Sequence, residues 1–364
     1  MTARALIIGG YGNFGSFIAR RLSQEPEMTV IVGGRSGEKA KALAGHLNAE
    51  WAAIDIAGDV DAGLENIRPD IVIHTSGPFQ GQGYDVAHAC IRRRCHYIDL
   101  ADGREFVAGI VRLDDAAKAA GVLVVSGASS LPALTAAIID KYSGTFKELR
   151  DVSYGIATAQ KTRRGLATTQ AVLSYAGKPF KTMIGGTVQD VYGWQGLHWR
   201  KFPGLGWRSL GICDVPDLTL FPQRYPSLKT IRFYAGLELP IVHLPLWAMT
   251  WLVRLGLISN LKNAAPFLLA LCRPLDRFGT DSSGLYMELT GIDAAGRPAQ
   301  RVFNLTARSG DGPYIPCMPA IVMALKIARR EIRERGAFPC VGFLDLDSLL
   351  DALKPLDISW DLTA

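Results

Sequence analysis

Short apolar runs rich in Val and Ile recur at 4–8, 29–33, 51–54, 70–75, 95–99 and 122–126. Each is long enough for a buried strand and too short for a helix. Between them, apolar residues fall at helical spacing in 13–23, 37–47, 59–66, 83–94 and 103–120. A strand–helix alternation of this kind predicts a parallel, doubly wound α/β sheet with right-handed crossovers. Six strands in sequence match the Rossmann-type dinucleotide-binding arrangement.

After residue 127 the rhythm changes. Strand-like stretches stand at 149–157, 285–293 and 299–307, and the last two flank Asp293-Ala294-Ala295-Gly296, a hairpin turn. A helix is predicted over 165–176 and another from Pro319 to Arg335. The Gly-, Trp- and Pro-rich middle, 178–228, reads as ordered loops. The pattern therefore divides the chain into a nucleotide-binding domain over 1–130 and an α+β substrate or dimerisation domain over 131–311. Residues 312–364 are expected to pack back on the first.

One segment stands apart. Residues 236–272 are strongly apolar, but Glu238, Pro240, His243, Pro245, Arg254, Lys262 and Pro266 interrupt them. A membrane span needs roughly 20 uninterrupted apolar residues, so two short apolar helices are predicted instead. They read as buried core or dimer interface, as the wall of a tunnel for an apolar substrate, or as a contact with a lipid surface. Trp247 and Trp251 lie one helical step apart and share a face.

Composition narrows the partners. The 364 residues carry a net charge of +6 and are 48% hydrophobic. A mild positive balance suits anionic small molecules or an anionic membrane surface, and no basic run with interleaved aromatics suggests nucleic acid. The six cysteines, Cys90, Cys95, Cys213, Cys272, Cys317 and Cys340, form no CxxC pair or compact framework and read as reduced thiols. The chain enters a strand at once, so no signal peptide is expected and a cytoplasmic location is. No metal-ligand spacing is present.

The candidate chemistry begins directly after the first strand, at Gly10-Tyr11-Gly12-Asn13-Phe14-Gly15. This is GxGxxG between a strand and a helix. The glycines permit a tight turn, a close approach of backbone to a pyrophosphate, and close helix–strand packing, and the helix N-terminus offers unpaired N–H groups. About 20 residues on, an acidic side chain ordinarily holds a ribose 2′-hydroxyl. Here Gly34-Arg35-Ser36 takes its place. A guanidinium matches a 2′-phosphate that a carboxylate would repel, so NADP(H) is expected over NAD(H). Arg35 and Ser36 are its candidate contacts, and Lys39 would lie one turn further on. Asp55, after the third strand, is either an adenine-edge contact or a helix N-cap, with Asp59 as the competing cap. The loop Ser76–Gly83 leaves the carboxyl end of the fourth strand, the edge at which such sheets bind ligands.

The stretches GGYGNFG, VGGRS, SGPFQGQGYDVAHACIRRRCHYIDLADG and VVSGASSLPAL together resemble the saccharopine dehydrogenase-like family over roughly 1–140. The resemblance implies an NAD(P)-binding Rossmann domain, a second domain for substrate and subunit contact, a homodimer, and a nicotinamide site lined by Gly77, Pro78 and Phe79 beside Ser76. DVPDLTLFPQRYP, GPYIPCMPA and GAFPCVG are similar to a bacterial branch of the family. The second domain departs from true saccharopine reductases: it is short, apolar over 236–272, and carries no evident Arg cluster for a dicarboxylic amino acid. Relatives described as trans-acting enoyl reductases or as lipid-droplet associated resemble it better there.

No side chain announces itself as a proton donor. There is no Tyr-x-x-x-Lys pair on a helix of the first domain and no GxSxG. Tyr97 and Asp99 alternate onto one face at a strand end beside the expected cofactor and are the catalytic candidates. His198, with Arg200, Lys201 and Arg208, could meet an anionic substrate or form a solvated rim. Cys90 reads as a buried small hydrophobe and His96 as structural. The expectation is an NADP(H)-dependent oxidoreductase that passes hydride to or from a C=N, C=O or activated C=C bond of a small substrate. The alternative is a non-catalytic NADP-binding protein that docks on membrane or lipid through 236–272.

Overall fold

The computed structural model describes residues 2–162 and 165–363. Two compact units emerge, one from 1–137 with 314–352 and one from 138–313 with 353–364.

The first unit is a parallel sheet built from β1 (Ala3–Ile8), β2 (Met28–Gly34), β3 (Glu50–Ala53), β4 (Ile71–His74), β5 (His96–Asp99) and β6 (Leu123–Ser126). A late strand, Gly336–Pro339, pairs with β6 and makes the order Gly336–Pro339, β6, β5, β4, β1, β2, β3. Between strands run α1 (Asn13–Leu22), α2 (Gly37–Leu47), α3 (Val60–Ile67), α4 (Asp85–Arg92), α5 (Arg104–Gly109) and α6 (Asp114–Ala120). A parallel sheet is covered on both faces, so its strands are continuous apolar runs. Leu6, Ile7, Val72, Ile73 and Val124 are accordingly shut off from solvent. Strand order reverses at β1, which pairs with β2 on one side and β4 on the other. The carboxyl ends of these three strands form the switch point at which an open α/β sheet takes its ligand.

The sequence-predicted helix over Pro319–Arg335 is shorter than expected, running Met318–Ala328. Arg330 takes a left-handed φ of 60°, which stops it. Nothing in ARREIRER signals this, because no Gly or Pro marks the end.

The second unit is a mixed sheet. Its strands are β7 (Glu148–Thr158), β8 (Pro179–Ile184), β9 (Thr187–Tyr192), β10 (His198–Phe202), β11 (Gly206–Ile212), β12 (Thr230–Leu237), β13 (Ser283–Ile292) and β14 (Pro298–Ala307), with a final strand Ile358–Thr363. The order β10, β11, β12, β7, β13, β14, Ile358–Thr363 gives seven strands, and β8–β9 is a separate hairpin. The stretch 178–228 is therefore not loops: it holds two hairpins and a helix, Asp217–Arg224. Its turns use Gly185, Gly186, Gly204 and Gly206 at positive φ, and that glycine density hides the strand alternation. The last strand pairs with β14, so the chain's end belongs to this second sheet, not to the first.

One face of the second sheet carries Tyr154, Phe233, Met287 and Phe303, all buried, against Phe221 and Tyr142. The β10–β11 hairpin leans over the other face. There Phe202 and Leu210 pack with Ala157, Tyr234 and Tyr286. Gly236 and Gly284 make the approach feasible: a Cβ at Gly284 would stand 2.6 Å from Phe202, and one at Gly236 2.5 Å from Leu210. The apolar 236–272 segment forms two short helices, Pro240–Arg254 and Ala265–Cys272. Among the described residues no helix is long and apolar enough to cross a membrane.

Candidate cofactor site

Glycine geometry builds the cradle. Gly9 has φ +80°, and a Cβ there would stand 2.7 Å from the hydroxyls of Thr75 and Ser76. Gly10 donates to the Gly33 carbonyl at 2.9 Å, and Gly12 donates to Gly9 at 2.8 Å. A side chain on Gly15 would enter the backbone of Gly9 and Gly10. The chain thus turns at the end of β1 with room for nothing but backbone. Helix α1 starts at Asn13 with no side-chain cap and no acidic residue in its first turn. Its leading N–H groups are left for an anion, as a pyrophosphate requires. Asn13 is exposed and Phe14 half-buried beside them.

At the end of β2, Arg35 is exposed and Ser36 caps α2, its Oγ accepting from Lys39 N–H at 3.3 Å. The Tyr11 hydroxyl accepts the Ser36 N–H at 3.0 Å, and its ring lies over Gly34, where a Cβ would be 2.5 Å from Cε1. The glycine loop and the Arg35 turn are therefore joined by the Tyr11 side chain, to which the GxGxxG pattern assigns no role. Asp55 is exposed at the end of β3 and closes a local turn by accepting from Ala57 N–H at 3.1 Å. Asp59 caps α3 through the Ala62 N–H at 3.0 Å, so the cap role weighed for Asp55 belongs to its competitor.

Beyond β4, Gly77 and Pro78 are exposed while Phe79 turns inward. Its ring meets His74 at 5.1 Å and Phe106 at 5.3 Å. Phe79 anchors the loop from below and offers the site no open face. Gln82 braces the same loop by donating to the carbonyls of Ser76 at 2.9 Å and Pro78 at 2.7 Å.

Tyr97 and Asp99 do point to one face of β5, but they lie beneath the carboxyl edge, 1% and 0% exposed. A proton donor must reach the atom it serves, and neither presents one at the surface. Asp99 Oδ1 accepts from the N–H groups of Ala101 and Gly127 and from the Ser126 hydroxyl at 2.9, 2.7 and 3.0 Å. Burial pushes its carboxyl up to about 6 against the pull of these donors. Tyr97 Oη stands 3.1 Å from His74 Nδ1. Burial holds His74 down at about 4, so this imidazole is neutral. His74 was missed, though a polar residue ending the apolar run DIVIHT was a usable signal.

Two of the three cations considered in the second unit are engaged. Arg208 pairs with buried Glu238 at 3.3 Å, and Arg200 with Glu288 at 2.6 Å while lying 3.9 Å over the Tyr286 ring. His198 stacks on Tyr234 at 4.8 Å and is pushed down by burial. Lys201 is exposed. Cys90 is fully buried with its thiol pushed up by that burial, and His96 accepts the Leu123 N–H at 2.9 Å, a structural task.

Residues 5–125 match the family model described as saccharopine dehydrogenase NADP binding domain. No curated protein matches the chain. Among solved structures, the apo saccharopine dehydrogenase (L-Glu forming) of Saccharomyces cerevisiae is similar over 100% of both chains, with a TM-score of 0.72 at 15% identity. An amine dehydrogenase from Mycobacterium smegmatis is similar over 93% of this chain and 95% of its own, with a TM-score of 0.48 at 11% identity. The first shows a shared fold, a Rossmann-type α/β unit followed by a second domain. The cradle at Gly9–Gly15, the uncapped α1 and the cation at Arg35 fit the cofactor that the family model names, and the cofactor is NADP(H). Residues 5–125 are thus similar to the saccharopine dehydrogenase NADP binding domain, and the chain as a whole shares the fold of a saccharopine dehydrogenase.

Proposed function

We propose that this oxidoreductase transfers hydride to or from a C=N, C=O or activated C=C bond of a small, apolar substrate. NADP(H), when bound, supplies or accepts the hydride. The carrying observation is the pairing of a side-chain-free cradle at Gly9–Gly15 with the exposed Arg35 20 residues beyond it. Gly10, Gly12, Asn13, Phe14 and Gly15 would hold the pyrophosphate, Arg35 and Ser36 the 2′-phosphate, and Asp55 the adenosine. Ser76, Gly77 and Pro78 would meet the nicotinamide, with Phe79 supporting them from behind. Tyr97 and Asp99 would act as positioning residues under this edge. The engagement of Arg200 and Arg208 by Glu288 and Glu238 supports a substrate without carboxylates.

The test is cofactor binding followed by turnover. A ligand at 100 times its Kd stabilises a fold by about 2.7 kcal/mol, so NADPH near 1 mM should raise the melting temperature by several degrees and quench tryptophan fluorescence. Arg35→Asp should reduce NADPH affinity by about tenfold to a hundredfold and spare NADH. A wild type that NADPH neither stabilises nor quenches sinks the reading. NADPH consumption with apolar imines, aldehydes and enones then names the bond.

A second reading adds a lipid surface. Ile241, Leu255, Leu257, Phe267, Leu271 and Phe278 are each 60% or more exposed, within a stretch whose charges are Arg254, Lys262, Arg273 and Arg277 against Asp276. Apolar side chains beside cations suit an anionic headgroup layer. Flotation with phosphatidylserine-containing vesicles tests it. Protein that remains wholly at the bottom of the gradient removes this reading, and native mass spectrometry shows whether a second copy covers the strip instead.

A further inference from the structure

We propose that the Tyr11 hydroxyl is a donor to the cofactor's 2′-phosphate, making Tyr11 a specificity residue for NADP(H) over NAD(H). The inference rests on the NADP(H) reading above and assigns a role to a residue that the GxGxxG pattern leaves undefined.

Two observations converge on the hydroxyl. Its oxygen accepts the Ser36 N–H at 3.0 Å, which fixes it beside Arg35. A tyrosine hydroxyl has one proton and two lone pairs. With one lone pair used by Ser36, no acceptor for the proton occurs among the described residues. Ser36 Oγ likewise accepts, from Lys39 N–H at 3.3 Å, and keeps its own proton, so it can donate beside Tyr11. The turn thus pairs an O–H donor with the exposed Arg35 at the adjoining position. That is the pair an anionic oxygen takes up best.

The same geometry explains Gly34. A Cβ there would stand 2.5 Å from Tyr11 Cε1 and 3.0 Å from its hydroxyl. Any side chain at 34, an acidic one included, would push the ring off the turn. Glycine at 34 and tyrosine at 11 are therefore one device. The ring fills the space that a ribose-binding carboxylate would otherwise need, and places a donor there.

Calorimetric titration of wild type, Tyr11→Phe and Gly34→Ala with 2′,5′-ADP, 5′-AMP, NADPH and NADH tests this without turnover. Tyr11→Phe keeps the ring and removes one donor. It should weaken 2′,5′-ADP and NADPH about fivefold to tenfold and change 5′-AMP and NADH less than twofold. Gly34→Ala, which displaces the ring, should show at least the same selective loss and stands as the readout if Tyr11→Phe does not fold. Equal losses for phosphorylated and unphosphorylated ligands would make Tyr11 a loop spacer only, and unchanged affinities would remove it from the site. If the wild type binds no NADPH, the cofactor reading itself fails. If it binds NADPH and both variants bind equally well, only the role of Tyr11 fails.

Discussion

Asp99 fastens the end of β5 to the turn that leaves β6: its Oδ1 accepts the Gly127 N–H at 2.7 Å. The same oxygen takes the Ala101 N–H and the Ser126 hydroxyl, so one buried carboxylate ties together two strand ends at the ligand edge of the sheet. Its cost is set by ionisation. The folded carboxyl titrates at about 6 against an ordinary 3.8. Between these values a rising pH strips the proton from the unfolded chain first, so stability is lost as pH climbs from about 4 to 6. The loss is on the order of 3 kcal/mol. Asp99→Asn cannot ionise. Its stability relative to wild type should improve by up to that amount between pH 4 and pH 7, read from urea unfolding at both. A pH-independent difference would contradict the raised carboxyl.

Histidines run the other way. His74 and His243 are buried and held at about 4 in the fold, against 6.5 outside it. They are neutral when folded. As pH falls below 6.5 the unfolded chain takes protons that the fold refuses, and stability is lost down to about pH 4. Each contributes roughly 3 kcal/mol over that window. His74 and Asp99 largely offset each other between pH 4 and 6, which leaves His243 and His96, also held at about 4 by burial, to set the histidine share of the slope. The stability deficit of His243→Gln should therefore shrink as pH is lowered from 7 to 4.5. A deficit that stays constant would mean the ring is accessible to protons.

Gly15→Ala should damage the fold and the cofactor site together. Its Cβ would stand 2.8 Å from both the Gly10 Cα and the Gly9 carbonyl carbon, forcing α1 away from β1. Overpacking of this kind costs about 1–3 kcal/mol. The variant should melt several degrees lower and lose most NADPH affinity, whereas Gly45→Ala, with open space at its Cβ, should do neither.

Arg208→Ala should cost about 3 kcal/mol or more, because it leaves Glu238 buried without its cation. Glu238 also accepts from the Gln160 and Thr280 N–H groups and from the Thr280 hydroxyl at 2.8–2.9 Å. Adding Glu238→Gln removes the charge and keeps an acceptor, so the double variant should recover at least half of the loss in chemical denaturation. No recovery would assign the damage to lost packing of the Arg208 stem.

The first sheet was readable because a parallel strand is buried on both faces and must be written as an uninterrupted apolar run, as in ALII and DIVIH. The cradle was readable because only glycine fits where backbone meets backbone. What escaped depends on contacts distant in sequence. Tyr11 gains meaning only when it meets Ser36, 25 positions away. Phe79 looked like a site residue in a loop, yet His74 and Phe106 draw its ring inward. Tyr97 and Asp99 were correctly placed on one face, but pleat alternation gives direction and not depth. The β10–β11 hairpin was missed because its Trp and Gly residues serve turns and a close crossing, not an alternation that sequence shows.

That crossing has an evolutionary consequence. Gly236 and Gly284 come from two strands 48 positions apart, yet both are hemmed in by the hairpin. Drift at either is blocked for as long as the hairpin stays down. Escape would need the Ser209 backbone or the Phe202 side chain to move first. Relatives that keep the hairpin should therefore retain both glycines together. Those that shorten it should be free to vary both, which makes the pair a marker of this arrangement in sequence comparison.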